Sequence, residues 1–287
     1  MPAMTLTSAM DDSRAKPPPL RDVIAKFGLK PDKSLGQHFL LDPDLLARIV
    51  GQAGELAGVH VIEIGPGPGG LTRALLATAA TGVTAVEVDP RAVAAIRDLA
   101  TYNAGRLIVV EADALKLKLP EITPAPRAII ANLPYNIGTP LLIRWLGEAA
   151  AYQSMTLMFQ LEVAARIVAA PNTAAYGRLS VISQFVCDAD IAMVVPAGAF
   201  SPPPKVESAV VRLTPKAVQP THQKFAAMER LTAAAFGQRR KMLRGALRGL
   251  GGEALCAAAG IAADRRAETL TVPEFERLML ASIERPS

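Results

Sequence analysis

Asn132-Leu133-Pro134-Tyr135 closes a short apolar run that includes Ile130 and Ala131. Its groups suit chemistry on an aromatic amine. Such an amine is a poor nucleophile, because its lone pair is delocalised into the ring. The Asn132 side-chain oxygen and the Leu133 carbonyl could together accept both amine protons, which favours a pyramidal nitrogen with its lone pair free. Pro134 stiffens the bend, and Tyr135 offers a ring face to a base lifted out of its stack. The same residues would also make an ordinary Asn-Pro turn with a partly buried tyrosine.

Upstream, Ile62-Glu63-Ile64-Gly65-Pro66-Gly67-Pro68-Gly69-Gly70 joins a β-branched run to a helical pattern. Its spacing satisfies both Gly-x-Gly-x-Gly and Gly-x-Gly-x-x-Gly, so the glycines alone do not choose between a dinucleotide and another nucleoside cofactor. Pro66 and Pro68 remove backbone donors that a pyrophosphate would need. Glu63 adds a carboxylate that suits a cationic amino-acid moiety better than a phosphate. Both features favour S-adenosylmethionine. Glu87 ends the next strand pattern, where a carboxylate can accept from both ribose hydroxyls. Asp113 follows the third, where it could accept from the exocyclic amine of an adenine or simply cap a turn.

These groups need a scaffold of alternating strands and helices. Strands are predicted over 59–64, 83–88, 107–111, 127–131 and 156–160, with helices over 71–79, 90–100, 140–150 and 162–170 between or after them. That alternation implies a parallel, doubly wound sheet with ligands outside the strand carboxyl ends. Runs over 191–195 and 208–213 flank a proline-rich loop, Phe200-Ser201-Pro202-Pro203-Pro204-Lys205, and could add an antiparallel edge. Helices are also predicted over 20–30 and from Asp42-Pro43 to about 53, with Asp42 as N-cap. Past Pro215 only helical spacing remains. The predicted organisation is a tail over 1–20, an α/β Rossmann-like domain over 21–215 and a small all-helical domain over 216–287.

The chain has 287 residues, of which 51% are hydrophobic and 20% charged, so global disorder is excluded. Two cysteines, Cys187 and Cys256, exclude a disulfide scaffold and favour a reducing, cytoplasmic setting. The three histidines, His38, His60 and His222, are not at ligand spacing, so no metal site is expected. No apolar stretch is long enough to span a membrane, and the N-terminal residues lack the apolar core of a secretory signal. The formal charge of +5 is concentrated late in the chain. Between 224 and 250, Lys224, Arg230, Arg239, Arg240, Lys241, Arg244 and Arg248 face one acid, Glu229. Arg240, Arg244 and Arg248 recur every fourth residue, as on one ridge of a helix, with Leu243, Leu247 and Leu250 on an adjoining packed face. Such a ridge suits nucleic-acid phosphates; a solvated helix face is the plainer alternative.

The sequence resembles the ribosomal RNA adenine dimethyltransferases of the KsgA type through six ordered segments between about 30 and 250. They are Gln37-His38-Phe39-Leu40, Glu63-Ile64-Gly65-Pro66-Gly67, Asn132-Leu133-Pro134-Tyr135-Asn136, Tyr176-Gly177-Arg178-Leu179-Ser180-Val181, the stretch from Phe200 to Val211, and Gln238-Arg239-Arg240-Lys241. The resemblance implies a class I S-adenosylmethionine-dependent methyltransferase sheet. It places cofactor contacts on His38, Leu40, Gly65, Glu87, Asp113 and Asn132, beside Glu63 and Gly67 of the glycine loop. Tyr135 and Phe200 are implied on the two faces of the target adenine, with Asn132 and Leu133 at its amine. The implied reaction is dimethylation at N6 of two neighbouring adenosines near the 3′ end of small-subunit ribosomal RNA, in a pre-ribosomal particle. Nothing in the sequence demands more than a monomer. Pro68-Gly69-Gly70 and Gly138-Thr139-Pro140 depart slightly from the family pattern. A DNA adenine methyltransferase, a large-subunit methyltransferase of the macrolide-resistance type and a non-catalytic assembly factor are the alternatives. Leu133 and the basic C-terminal module favour RNA over DNA. Tyr176-Gly177-Arg178-Leu179 and Gln238-Arg239-Arg240-Lys241 favour the small-subunit branch, and an assembly role is compatible with the enzyme.

Overall fold

The computed structural model describes residues 16–29, 38–103, 105–238 and 240–284. Gln37, Arg239 and most of the expected tail lie outside them. The first part of the chain runs α1 (Leu20–Lys26), β1 (Phe39–Leu40), α2 (Pro43–Gly51), β2 (His60–Ile64), α3 (Gly70–Leu76), β3 (Gly82–Glu87), α4 (Pro90–Ala100) and β4 (Leu107–Glu111). After a short α5 (Leu119–Ile122) come β5 (Arg127–Asn132), α6 (Gly138–Gly147), β6 (Ser154–Gln160), α7 (Leu161–Val168), α8 (Arg178–Val186), β7 (Cys187–Val195), β8 (Phe200–Ser201) and β9 (Ser208–Pro215). The last part is helical: α9 (His222–Gly237), α10 (Leu243–Ala246), α11 (Gly252–Ala258) and α12 (Val272–Glu284).

Seven strands form one sheet in the order β4-β3-β2-β5-β6-β9-β7. Strands β4 to β6 are parallel; β9 runs antiparallel to β6, and β7 antiparallel to β9. The chain therefore builds outward from β2 to β4, then restarts at β5 and builds the other way. The reversal lies between β2 and β5, where crevices open in sheets of this kind. Their ladder ends at Ile62 opposite Ile129, although β2 continues to Ile64 and β5 to Asn132. The parting strand ends make room for a ligand.

Local chemistry sets the end of α1, at Gly28, and the start of α2, at Asp42. Asp42 caps α2, its carboxylate accepting from the Asp44 and Leu45 N–H groups, with Pro43 at the first helical position. Helix α1 stops at Lys26 rather than running to 30, because Gly28 turns into the left-handed region at φ 60°. Its Val23 and the following Leu29 pack on Ala92 and Ala95 of α4.

The basic stretch over 240–250 is not one helix. Only Leu243–Ala246 is α-helical and Arg248–Leu250 forms a single 3₁₀ turn. Gly245, Gly249, Gly251 and Gly252 disfavour helix continuation. At its start, the Leu243 and Arg244 N–H groups bond to the carbonyls of Arg265 and Ala263. Arg240, Arg244 and Arg248 are exposed but do not form the predicted ridge; Leu243 and Leu247 are buried and Leu250 partly so.

The helices after Pro215 share a core with the sheet. One apolar cluster runs from Ile129 and Leu157 through Trp145 and Tyr176 to Leu231, Phe275 and Met279. Tyr176 ties the parts together: its hydroxyl donates to the Leu270 carbonyl at 2.7 Å, and its ring meets Phe236 edge-on, which stacks on Phe275. Both cysteines are buried in this cluster, and burial pushes the Cys187 thiol up to about 12.

Thr271 and Glu274 form a reciprocal box at the start of α12: the Thr271 N–H donates to Glu274 Oε2 at 2.8 Å, and the Glu274 N–H to the Thr271 hydroxyl at 3.4 Å. Arg265 grips both oxygens of the same carboxylate. The hydrogen bonds from Arg265, aided by those from Thr271, hold the Glu274 carboxyl down at about 2 against a usual 4.5. Its contribution to stability is thus complete above pH 4.5 and lost as pH falls toward 2. Denaturant titrations should show Glu274→Gln less stable than wild type at pH 6, with the difference closing over that interval.

Candidate active site

The parted ends of β2 and β5 open onto a cavity of about 320 Å³. One wall is the glycine loop. Gly67 adopts φ 54°, and a Cβ there would lie 3.3 Å from the Phe39 ring. At Gly70 a Cβ would press to 2.9 Å from the Leu40 carbonyl, so this glycine lets α3 seat directly against β1. The loop's N–H groups are already engaged within the protein. Gly65 donates to the Val86 carbonyl at 2.9 Å, Gly67 to Glu87 Oε2 at 3.2 Å and Gly69 to the Pro66 carbonyl at 3.0 Å. Pro66 and Pro68 have no N–H to give. From 65 to 69 no backbone donor remains for a pyrophosphate.

Acceptors dominate the rest of the wall. Glu63, Glu87 and Asp113 line the cavity, and among the described residues no lysine or arginine does. Glu87 Oε1 accepts from the Val88 and Asp89 N–H groups at 2.8 and 2.9 Å, which fixes the carboxylate at the end of β3. Asp113 combines both roles considered for it. Its Oδ1 caps the turn through the Leu115 N–H at 2.9 Å, and its side chain, 38% exposed, still faces the cavity. Glu63 is 1% exposed, and its Oε2 has no hydrogen-bond partner among the described residues. Burial, reinforced by the neighbouring Glu87 carboxylate, pushes its carboxyl up to about 8; the Thr72 hydroxyl beside it opposes the shift without reaching hydrogen-bond geometry.

On the β5 side, the Asn132 amide nitrogen reaches the His38 carbonyl at 3.5 Å. Its Oδ1, like the Leu133 carbonyl, has no hydrogen bond among the described residues. Both residues line the cavity. Tyr135 is half-buried and its hydroxyl shares a 2.8 Å hydrogen bond with the hydroxyl of Ser208, which is fully buried in β9. Burial raises the phenol above its usual range, against the Ser208 hydrogen bond.

The segments holding His38 and Phe200 are partners: β1 pairs antiparallel with β8, setting Leu40 opposite Phe200 and Phe39 opposite Ser201. His38 Nδ1 donates to the Pro202 carbonyl at 2.8 Å, since a carbonyl only accepts. Its ring stacks on Tyr135 at 5.7 Å between centroids and meets Phe200 edge-on at 6.5 Å. Phe200 is 4% exposed and packs in the core rather than on the cavity wall.

His38, Leu40, Glu63, Gly65, Gly67, Glu87, Asp113, Asn132, Leu133 and Tyr135 therefore meet at one cavity. Arg240, Lys241, Arg244 and Arg248 do not; they lie exposed in the helical region. Three contributors were missed from sequence. Val88 and Leu115, 58% and 37% exposed, are apolar lips of the cavity, and each lies within two residues of a strand-end acid. Ser208 carried no signal, because its use depends on β9 pairing with β6. Among the described residues no cluster of His, Cys, Asp and Glu could hold a metal ion, and no helix is long and apolar enough to cross a membrane.

The donor set fits S-adenosylmethionine. Orphaned Glu63 and ordered Glu87 and Asp113 offer acceptors to an ammonium, a ribose and an adenine amine, while the loop lacks what a pyrophosphate requires. Comparison with known proteins agrees. The family model described as ribosomal RNA adenine dimethylase matches residues 28–283. The chain belongs to the ribosomal RNA adenine dimethylase family. It is accordingly an S-adenosylmethionine-dependent ribosomal RNA adenine N6-dimethyltransferase. The ribosomal RNA small subunit methyltransferase A of Gluconobacter oxydans (strain 621H) is 56% identical over 282 residues, covering 94% of this chain and 93% of that one. The protein of the same name from Sinorhizobium medicae (strain WSM419) is 54% identical, covering 91% and 96%. Among solved structures, a dimethyladenosine transferase from Plasmodium falciparum superposes with a TM-score of 0.71 at 26% identity, covering 85% of this chain and 96% of that one. The 23S rRNA methyltransferase ErmE superposes at 0.64 with 28% identity, covering 86% and 100%.

The Tyr135–Ser208 bond gives this dimethylase a test of positioning. Ser208→Ala should lower kcat for methyl transfer by about 10- to 100-fold, the scale of a misplaced reacting group, and leave the cofactor Kd unchanged. Steady-state kinetics alongside calorimetric binding would check both halves.

Proposed function

We propose that the cavity holds S-adenosylmethionine with its adenosine between Glu87 and Asp113 and its amino-acid end near Glu63, and that Asn132 and Leu133 receive the target adenine. The enzyme dimethylates N6 of two adjacent adenosines near the 3′ end of small-subunit (16S) ribosomal RNA, in ribosome biogenesis. The observation that carries this reading is the pair of acceptors, Asn132 Oδ1 and the Leu133 carbonyl, without a hydrogen bond among the described residues and on residues that line an acceptor-rich cavity.

Bound S-adenosylmethionine supplies a methyl group on a positively charged sulfur that is already a good leaving group. The protein's task is to orient the amine. Asn132 and Leu133 accept its protons and direct the lone pair into the cavity, while Pro134 keeps both acceptors in place. Tyr135 stacks on one face of the base, its ring held by Ser208. Phe200, now against the edge of the His38 ring, meets the other face once that ring shifts. Protons leave the methylated nitrogen afterwards, so no dedicated base is required. Val88 and Leu115 cover the cofactor adenine.

The helical region over 216–287 supplies the RNA grip. Arg240, Lys241, Arg244 and Arg248 neutralise phosphates from a turn-rich stretch rather than from one helix ridge, giving affinity with little base reading, and Arg239, outside the described residues, belongs to the same basic run in sequence. The enzyme acts as a monomer in the cytoplasm on an immature small subunit. Relatives named for the small subunit at 56% and 54% identity support that target over the large-subunit RNA of ErmE, at 28%.

Labelled methyl transfer onto unmethylated small subunits, with mapping of the modified nucleotides, tests the reading directly. Incorporation into large subunits instead would overturn it. Asn132→Ala should reduce transfer at least 100-fold, roughly the effect of deleting one hydrogen bond made in the transition state, while subunit binding persists. Arg240→Ala/Arg244→Ala should weaken RNA binding and reduce the salt slope by about 2, one for each phosphate no longer neutralised. An unchanged slope would remove the phosphate assignment.

A further inference from the structure

Glu63 is an unusual choice for the floor of a ligand cavity. Its side chain leaves the carboxyl end of β2 already buried, with Oε2 reached by no donor among the described residues. The groups around it do little to offset the loss of hydration an anion would suffer there. Glu87, from the end of β3, adds negative charge, and Thr72, from α3, offers a hydroxyl short of hydrogen-bond geometry. Arg73, next along α3, keeps a buried Nε without a partner among the described residues, so its guanidinium is not spent on Glu63 through that atom. Across the cavity stand Asp113, Tyr135 and His38, the last committed through Nδ1 to the Pro202 carbonyl. A carboxylate in this position is penalised twice, by the removal of its hydration and by a like charge.

A ligand with a cationic nitrogen reverses both penalties. We propose that Glu63 is neutral in the ligand-free enzyme and releases its proton to solvent when the ammonium of the cofactor's amino-acid portion docks beside it, so that cofactor binding and deprotonation are one event. Only the carboxyl O–H bond breaks; the proton goes to water or buffer, and the ammonium keeps all of its own. This deepens the S-adenosylmethionine reading of the cavity and rests on it. The device lets the empty site avoid a bare buried anion, yet presents a full negative charge to the one part of the cofactor that an ordinary nucleoside lacks. With the carboxyl pushed up to about 8, nearly all of the empty enzyme holds the proton at pH 7.

The probe is S-adenosylhomocysteine, which carries the ammonium, compared with 5′-methylthioadenosine, which does not. Calorimetric titrations of the full chain in phosphate and in Tris at pH 7 report proton release from the difference in apparent enthalpy. S-adenosylhomocysteine should release close to one proton, and its affinity should rise about tenfold from pH 6 to pH 7, the slope for one proton released. Methylthioadenosine should release none, with an affinity flat over that range. In Glu63→Gln both ligands should behave like methylthioadenosine; the two-ligand comparison in wild type stands even if that variant does not fold. Binding of S-adenosylhomocysteine without proton release, or equal release with both ligands, would overturn the proposal. If neither ligand binds at any pH the cofactor reading itself fails, a result distinct from either of those.

Discussion

The crevice between β2 and β5 is rich in acceptors and poor in donors, and the rest of the site follows from that imbalance. Three carboxyl-bearing side chains meet at the strand ends, no lysine or arginine among the described residues lines the cavity beside them, and residues 65–69 of the loop between β2 and α3 have their N–H groups engaged elsewhere. A polyphosphate would meet carboxyl groups and no lining cation there. A ligand with a positive charge, ribose hydroxyls and an adenine amine finds a partner for each. Extra acceptors at Asn132 and Leu133 would then suit a second adenine amine, as proposed above. On the proposed reading, one cavity would handle two purines by the same device, separated by which strand end supplies the acceptors.

The sheet achieves this by topology. Reversal of chain direction after β4 leaves β2 and β5 adjacent but not continued by a common connection, so their carboxyl ends can part. The antiparallel pair β9 and β7 does more than close an edge. Strand β9 carries Ser208, which orients Tyr135, and the loop before it carries Pro202, which orients His38. The two-stranded β1–β8 pair then ties the start of the domain to that loop across the cavity mouth. His38 and Pro202, 164 positions apart in sequence, are held within one hydrogen bond of each other.

The helical region is bound to the sheet through a shared core, with Tyr176 hydrogen-bonded to the Leu270 carbonyl and the Phe236–Phe275 stack beside it. A shared core of this kind would suit the proposed phosphate grip, which must hold one RNA site over a cavity elsewhere on the protein. The periodic arginines over 240–248 are not carried on the single helix they suggested. Glycines at 245, 249, 251 and 252 break the run, and carbonyls at 263 and 265 take the N–H groups at its start.

The alternation of strands and helices, the glycine loop, the strand-end acids and the Asn-Leu-Pro-Tyr turn were all legible in the sequence, because each depends on residues within a few positions of one another. Local steric and hydrogen-bonding rules act over that range: prolines lack an N–H wherever they sit, and Asp42 caps the helix that follows it. What only the tertiary structure decided were the contacts between distant segments. Phe200 was expected on a face of the target base, yet pairing of β8 with β1 buries it behind His38. Ser208 gained its role from a strand register, and Glu63 its raised protonation from burial beneath a loop and beside Glu87. Burial and long-range register arise from how whole elements pack, and no short stretch of residues encodes them by itself.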